Sequence, residues 1–326
     1  MVDTTLEEAP ELIGKGSGSM REAFGHALVE VAGERDDLVV LDADIAGGTG
    51  VHNFRDAHPE RFFQFGIAEQ NMMAVASGMA SLGLLPVVTT FAVFCLRAVE
   101  QARLSIAYSQ RKVVIAASHP GLDVGPDGGS AQCFEDMAAY RAIPGMTVLS
   151  PADPIEMRLA TRAAIACDGP VYMRTGRSPI ADIFDASHTF QIGRGHKLTD
   201  GSDVTIVACG VEVARALEAA EVLKADGISA SVVNLASIQP VDHELLAECA
   251  RSTRAFVTAE DHSIRGGLGS AVAESLASHL PRPIEFVGHS NEFGTSGEPD
   301  ELAERYGIDS RGIAAAARRV LSRSSK

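Results

Sequence analysis

Glu69 is the one acid in the stretch "GIAEQNMMAVASGMASLG", which is otherwise built from Met, Ala, Val, Ile and small polar residues. A carboxylate among such neighbours is costly unless it is paired, hydrogen-bonded or protonated. A dry site that raises its pKa would suit it to general acid–base work. Helix-start comfort is the simpler reading, because a carboxylate in a first turn interacts well with the helix dipole. His119 directly follows the apolar run "KVVIAAS" and opens the Gly- and Pro-rich loop "SHPGLDVGPDGGSAQCFED", which also carries Asp127. Glycines there let backbone approach a ligand closely. Phe91 and Phe94 stand at i and i+3, a spacing that by itself predicts core packing. Arg174 and the residues up to Arg177 follow the run "PVYM".

These residues need elements to position them. Short β-branched runs ("LVVLDAD", "LPVVTTF", "KVVIAAS", "TVLSP", "PVYMR") alternate with segments of helical periodicity. Such alternation predicts βαβ units around a mostly parallel sheet. Ser19 is a plausible N-cap for "SMREAFGHALVEVAGER". Further helices are expected over the Glu69 segment, which reads as buried all round, from about Phe94 to Tyr108, and over Pro154 to Cys167. Polar, Gly and Pro residues then interrupt the rhythm, and alternation restarts at "VTIVACG". We therefore expect an α/β protein with two domains, each a mostly parallel sheet flanked by helices. Residues 14–178 form the first, 179–200 a linker and 201–326 the second. In parallel sheets ligands sit outside the carboxyl ends of the strands, which singles out Asp42, Asp44, Thr89 to Phe91, Ser118 to Gln132, Ser150 to Asp153 and Arg174 to Arg177.

Composition narrows the partners. The chain of 326 residues has a formal net charge of -15. Nucleic acid and anionic membrane surfaces would be repelled, although a local basic pocket for a small anion is compatible with it. No apolar run approaches the ~20 residues needed to span a bilayer. The acidic N-terminus "MVDTTLEEAPEL" does not read as a signal peptide. The five cysteines are scattered without a C-x-x-C pair, so they read as buried thiols in a reducing compartment, and a cytoplasmic location is expected. No metal-ligand set is expected on this chain.

Taken together, "FGIAEQNMMAVASGMA", "VVTTFAVFCLRAVEQARLSIAY", "SHPGLDVGPDGGSAQCFEDMAAYRAIPGMTVLSPAD" and "GPVYMRTGRSP" resemble the transketolase family of thiamine-diphosphate enzymes. The second half is similar to the family's C-terminal domain through "VACGVEVARALEAAEVL", "NLASIQPVD" and "TAEDHSIRGGLGSAVAE". The resemblance implies that Glu69 bonds N1′ of the cofactor's aminopyrimidine and so promotes loss of the thiazolium C2 proton. It also implies that Phe91 and Phe94 pack on the aminopyrimidine, which reverses their core reading. Arg97, Gln70 and Asp44 fall at positions near the cofactor. His119, Asp127 and Arg174 match residues that contact the hydroxyls or phosphate of a sugar, with Arg suited to a bidentate phosphate grip.

Several departures shape the expectation. Ala131 stands where family transketolases usually carry a second loop histidine, and Arg97 where they often carry Tyr. The spacing from Phe94 to Gln101 looks closer to deoxyxylulose-phosphate synthase. The G-D-G motif and later Asn that hold the diphosphate and its metal do not occur; the nearest string is Asp127-Gly128-Gly129 in the substrate loop. The resemblance therefore implies the C-terminal subunit of a split transketolase. An N-terminal subunit would supply the diphosphate-binding domain and most of the grip on Mg²⁺ or a similar divalent ion, in an α2β2 heterotetramer. The expected reaction moves a two-carbon ketol unit from a ketose or ketose phosphate to an aldose. Alternatives on the same scaffold are a deoxyxylulose-phosphate-synthase-like subunit and the β subunit of a 2-oxo acid dehydrogenase. A scaffold or regulatory relative is the non-enzymatic alternative.

Overall fold

The computed structural model describes residues 18–324. The acidic N-terminal stretch and the first residues of the expected first domain lie outside the described residues. Helix α1 (Met20–Ala32) is capped by Ser19, whose side chain accepts from the Glu22 backbone N–H. It buries Phe24, Leu28 and Val31 against the first sheet, following its 3.6-residue periodicity. The strands of that sheet are β1 (Leu38–Asp42), β2 (Phe62–Gln64), β3 (Leu85–Phe91), β4 (Val114–Ser118), β5 (Thr147–Leu149) and β6 (Val171–Thr175). Between them run helices α2 (Glu69–Ser81), α3 (Asp136–Arg141) and α4 (Pro154–Ala166). Strands β1, β4 and β6 are buried along their whole length, as continuous apolar runs flanked by helices on both faces should be.

The second sheet contains β7 (His196–Thr199), β8 (Val204–Ala208), β9 (Ala230–Asn234), β11 (Ala255–Ser263) and β12 (Ile284–His289). Its order is β12-β11-β8-β9-β7, parallel except for β7. It therefore begins at His196, inside the segment that composition marks as a linker. Strand β10 (Ser237–Gln239) leaves this half and pairs antiparallel with β5, making the first sheet seven-stranded in the order β10-β5-β6-β4-β3-β1-β2. Helices α5 (Glu212–Ala225), α6 (His243–Ser252), α7 (Leu268–His279), α8 (Pro299–Tyr306) and α9 (Ser310–Ser324) complete the half. One apolar cluster joins Met72, Val88 and Ile115 to Leu235, Ile238 and Phe256 across the two sheets. The halves are thus packed into a common core and not merely tethered.

Two expectations about helices change. The segment from Phe94 to Tyr108 is not one α-helix: short turns over Ala92–Gln101 lead into a π-helical stretch, Ala102–Tyr108. Helix α2 is not buried all round, because Gln70, Asn71, Ala74 and Gly78 on one face are exposed. Its hydrophobicity reflects small and apolar residues on a face that this single chain leaves uncovered. Four cysteines are buried and Cys167 is half-buried, all of them free thiols. No described helix is long and apolar enough to cross a membrane.

Candidate active site

The carboxyl ends of the first sheet converge on one pole. Strand β1 ends at Asp42, whose buried carboxylate accepts from the Ile45 N–H, Gln64 Nε2 and Thr89 Oγ1 at 2.9–3.1 Å. Gln64 in turn accepts from the backbone N–H groups of Asp44, Phe65 and Gly66. This network shapes the turn that delivers Glu69 to the start of α2. Glu69 is 3% exposed, and its nearest ionic partner is the Arg97 guanidinium at 3.5 Å, itself 58% exposed. Helix α2 has no side-chain cap at Ala68, and Glu69 supplies the carboxylate of its first turn.

Phe91, at the end of β3, stacks on Phe94 with centroids 5.7 Å apart and on the His119 ring at 3.8 Å. Gly48 makes that position possible, because a Cβ there would lie 2.8 Å from the Phe91 ring. His119 follows β4 with φ +58°, a left-handed conformation costing ~1–3 kcal/mol in a non-glycine residue. Its Nδ1 lies 2.8 Å from Ser118 Oγ, and Ser118 donates to the Gly48 carbonyl at 3.2 Å. With the hydroxyl proton so placed, Nδ1–H donates to Ser118 and Nε2 is left as an acceptor. Burial, reinforced by the positive charges of Arg21 and Arg177, lowers the His119 pKa to about 3. The ring is therefore neutral at physiological pH and suited to accept a hydrogen bond from a hydroxyl.

Arg174, expected to meet substrate, is largely engaged within the protein. It is 5% exposed, and Nε and Nη2 both bind the Asp136 carboxylate while Nη1 donates to the Asp261 carbonyl at 2.9 Å. Tyr172 Oη adds a bond to Asp136 at 2.7 Å. Burial alone would raise the Asp136 carboxyl, but Arg174, with His262 and Tyr172, outweighs it and holds the acid ionised. Three of its five N–H donors are spent in this way. The cations whose charge acts on His119 are Arg21, which the sequence did not single out, and Arg177, one of the strand-exit residues that it did. Their only sequence signal was position: Arg177 stands just beyond a strand's carboxyl end, and Arg21 lies in the first turn of α1. Asp44 and Gln70 are exposed, as is Asp127 on the loop. The backbone N–H of Asp44 is tied to Gln64.

The fold is that of an α/β protein whose first sheet carries a buried carboxylate after one parallel strand and stacked rings with a neutral histidine after two others. Residues 17–181 match the transketolase pyrimidine binding domain and residues 193–313 the transketolase C-terminal domain. The chain belongs to the transketolase family. A structure described as a split gene transketolase, inactive β4 tetramer, superposes with a TM-score of 0.87 at 48% identity, covering 93% of this chain and 98% of that one. The 6-deoxy-6-sulfo-D-fructose transketolase subunit SqwH of Clostridium sp. (strain MSTE9) is 40% identical over 307 residues, 94% of this chain and 95% of its own length. The 1-deoxy-D-xylulose-5-phosphate synthase 1 of Geobacter sulfurreducens is 36% identical over 94% of this chain but only 49% of its own.

Proposed function

We propose that this chain is the pyrimidine-binding half of a two-chain transketolase. In this reading it transfers a two-carbon ketol unit from a ketose to an aldose. The observation that carries the reading is Glu69: a buried carboxylate paired with Arg97 at the start of α2, in the same half whose strand ends carry the Phe91–Phe94 stack and a neutral histidine. These residues fit the aminopyrimidine end of thiamine diphosphate. Glu69 would hold the proton at ring N1′, and Phe91 and Phe94 would flank the ring, with Arg97 beside the carboxylate. The cofactor, when bound, supplies the nucleophilic carbon. The chain's own side chains position the sugar: His119 Nε2 accepts from a substrate hydroxyl, and Arg21 and Arg177 meet an anionic tail such as phosphate or sulfonate.

A partner chain would bring the diphosphate-binding domain and the divalent metal, in an α2β2 heterotetramer. The split organisation of the 48%-identical relative supports this, as does the description of its β4 form as inactive. The full-length match to a curated transketolase subunit supports it as well. Large apolar side chains on and beside α2 and the π-helical stretch are exposed in this single chain: Ile67 at 73%, Leu82 at 83% and Tyr108 at 81%. Such a patch suits burial in an assembly.

Mixing this chain with an N-terminal subunit that carries a G-D-G motif, thiamine diphosphate and Mg²⁺ should give ketol transfer, with neither chain active alone. Robust transfer by the isolated chain would refute the division of labour. The proximity of Arg97 to Glu69 favours a second reading, a deoxyxylulose-phosphate-synthase-like subunit. Turnover of pyruvate with an aldehyde acceptor, in preference to a ketose donor, would select it.

A further inference from the structure

Two adjacent acids on β11 point to opposite faces of the sheet, as strand geometry requires, and they serve different halves of the molecule. Glu260 turns into its own half, where its carboxylate accepts from the Leu268 and Gly269 N–H groups at the start of α7, at 2.7 and 2.8 Å. Asp261 turns the other way and crosses between the halves. Its two oxygens accept from the backbone N–H groups of Leu122 and Asp123, at 2.8 and 3.0 Å. Both residues lie in the loop that His119 opens. Gly121 permits this approach: its φ is +68°, and a Cβ there would sit 2.2 Å from the Asp261 carboxyl.

The clamp extends further. Asp123, held through its N–H, uses its own carboxylate to accept from the Arg177 and Ser178 N–H groups, at 2.9 and 3.0 Å. The Asp261 carbonyl receives Arg174, which is fixed by Asp136. The Asp261 carboxylate thus fixes the His119 loop directly, and through Asp123 that loop holds the Arg177 turn. Burial raises the Asp261 pKa, and the Leu122 N–H opposes that rise. His119 sits three residues before the first clamped N–H, in a left-handed conformation that persists only where surroundings over-determine it.

We infer that Asp261 is a positioning residue for the substrate site, and that the second half of the chain takes part in the reaction by clamping the His119 loop and the Arg177 turn through it. This rests on the proposed ketol transfer for its kinetic consequence but not for its structural one. The test compares Asp261→Asn and Gly121→Ala with Glu260→Gln in the full chain, alone and reconstituted with its partner. Expected for the first two are loss of hydrogen-exchange protection at the Leu122 and Asp123 amides and a His119 titration midpoint, read by NMR, moved up from about 3 toward the ordinary 6.5. In the reconstituted enzyme the donor kcat/KM should fall about 10- to 100-fold, chiefly through KM. Glu260→Gln should lower thermal stability without moving any of these readouts. Gly121→Ala leaves the core of the second half untouched, so it carries the test even if Asp261→Asn folds poorly. Wild-type protection and titration in both loop variants would overturn the inference. Absence of ketol transfer by the reconstituted wild type would count against the reaction alone, because the titration and exchange data decide the clamp independently.

Discussion

The two sheets end their parallel strands in the same architecture and use those ends in opposite ways. In the first, the ends at Gln64, Phe91 and Ser118 lead into Glu69, Phe94 and His119. In the second, several polar residues at or just beyond the strand ends are already engaged, although His289 at the end of β12 keeps both ring nitrogens without a hydrogen-bond partner. Asn234 Nδ2 donates to Glu156 of the first half at 2.7 Å, Glu260 caps α7, Asp261 clamps the His119 loop, and Glu212 pairs with Arg215. A carboxyl-end crevice is thus a receptor only where the side chains are left uncommitted. Where they are paired, the same topology becomes a buttress. The contrast between Arg177 and Arg174 repeats this within one strand and its exit: one guanidinium faces His119, whereas the other is consumed by Asp136.

The comparison can be broken most directly at the receptor end. Glu69→Gln keeps the shape but loses the proton-holding carboxylate. Turnover of the reconstituted enzyme should fall by ~10²–10⁴-fold, the usual worth of a positioned acid–base group. Its thermal unfolding should remain close to wild type. Near-normal steady-state kinetics would remove Glu69 from its role.

At the buttress end the loss should appear as stability. Asp136→Asn leaves the buried Arg174 without its counter-charge and is expected to cost ~3–5 kcal/mol, measured by urea unfolding. An undiminished unfolding midpoint would mean that Arg174 is free to serve the substrate after all. Arg177→Met should do the reverse, raising KM for a phosphorylated or sulfonated donor roughly tenfold, equivalent to about 1.4 kcal/mol, while unfolding stays unchanged. Equal KM effects for charged and uncharged donors would assign the anion grip elsewhere.

The smallest expected effect is a pH slope. Burial, partly offset by Arg215, raises Glu212 from 4.5 to about 7, and one of its oxygens has no hydrogen-bond partner. Its folded-state pKa lies above the unfolded one, so the folded state holds the proton more tightly. The resulting stabilisation is complete below pH 4.5 and is lost as pH rises through about 7. Glu212→Gln should therefore be more stable than wild type at pH 8 by roughly 1–3 kcal/mol, with the gap closing near pH 4.5. A pH-independent difference between the two unfolding curves would show that Glu212 is ionised throughout.

Much of this was legible in the residues. Short continuous β-branched runs and period-3.6 patterns placed the principal strands and helices of both halves, because burial of apolar surface is decided locally by spacing. Glu69 stood out because it is the lone acid of an apolar segment. His119 and the Gly-rich loop stood out because they follow a buried strand. The π-helical stretch before Tyr108 was not legible, since its residues suit an α-helix equally well. The roles of Arg174 and Arg177 were not legible either. Both are arginines beside the same strand end, and their difference depends on Asp136, 38 residues away in sequence, which accepts from Arg174.

The sequence by itself determined the two α/β halves and the family, because these follow from local periodicity and short motifs. Only the tertiary structure decided which charges are spent and which are free, where the second half touches the substrate loop, and that β10 stitches the halves into one sheet. Those outcomes depend on pairings between residues distant in the chain. Asp261 is 139 positions from Leu122, and no periodicity records that its carboxylate closes on that N–H.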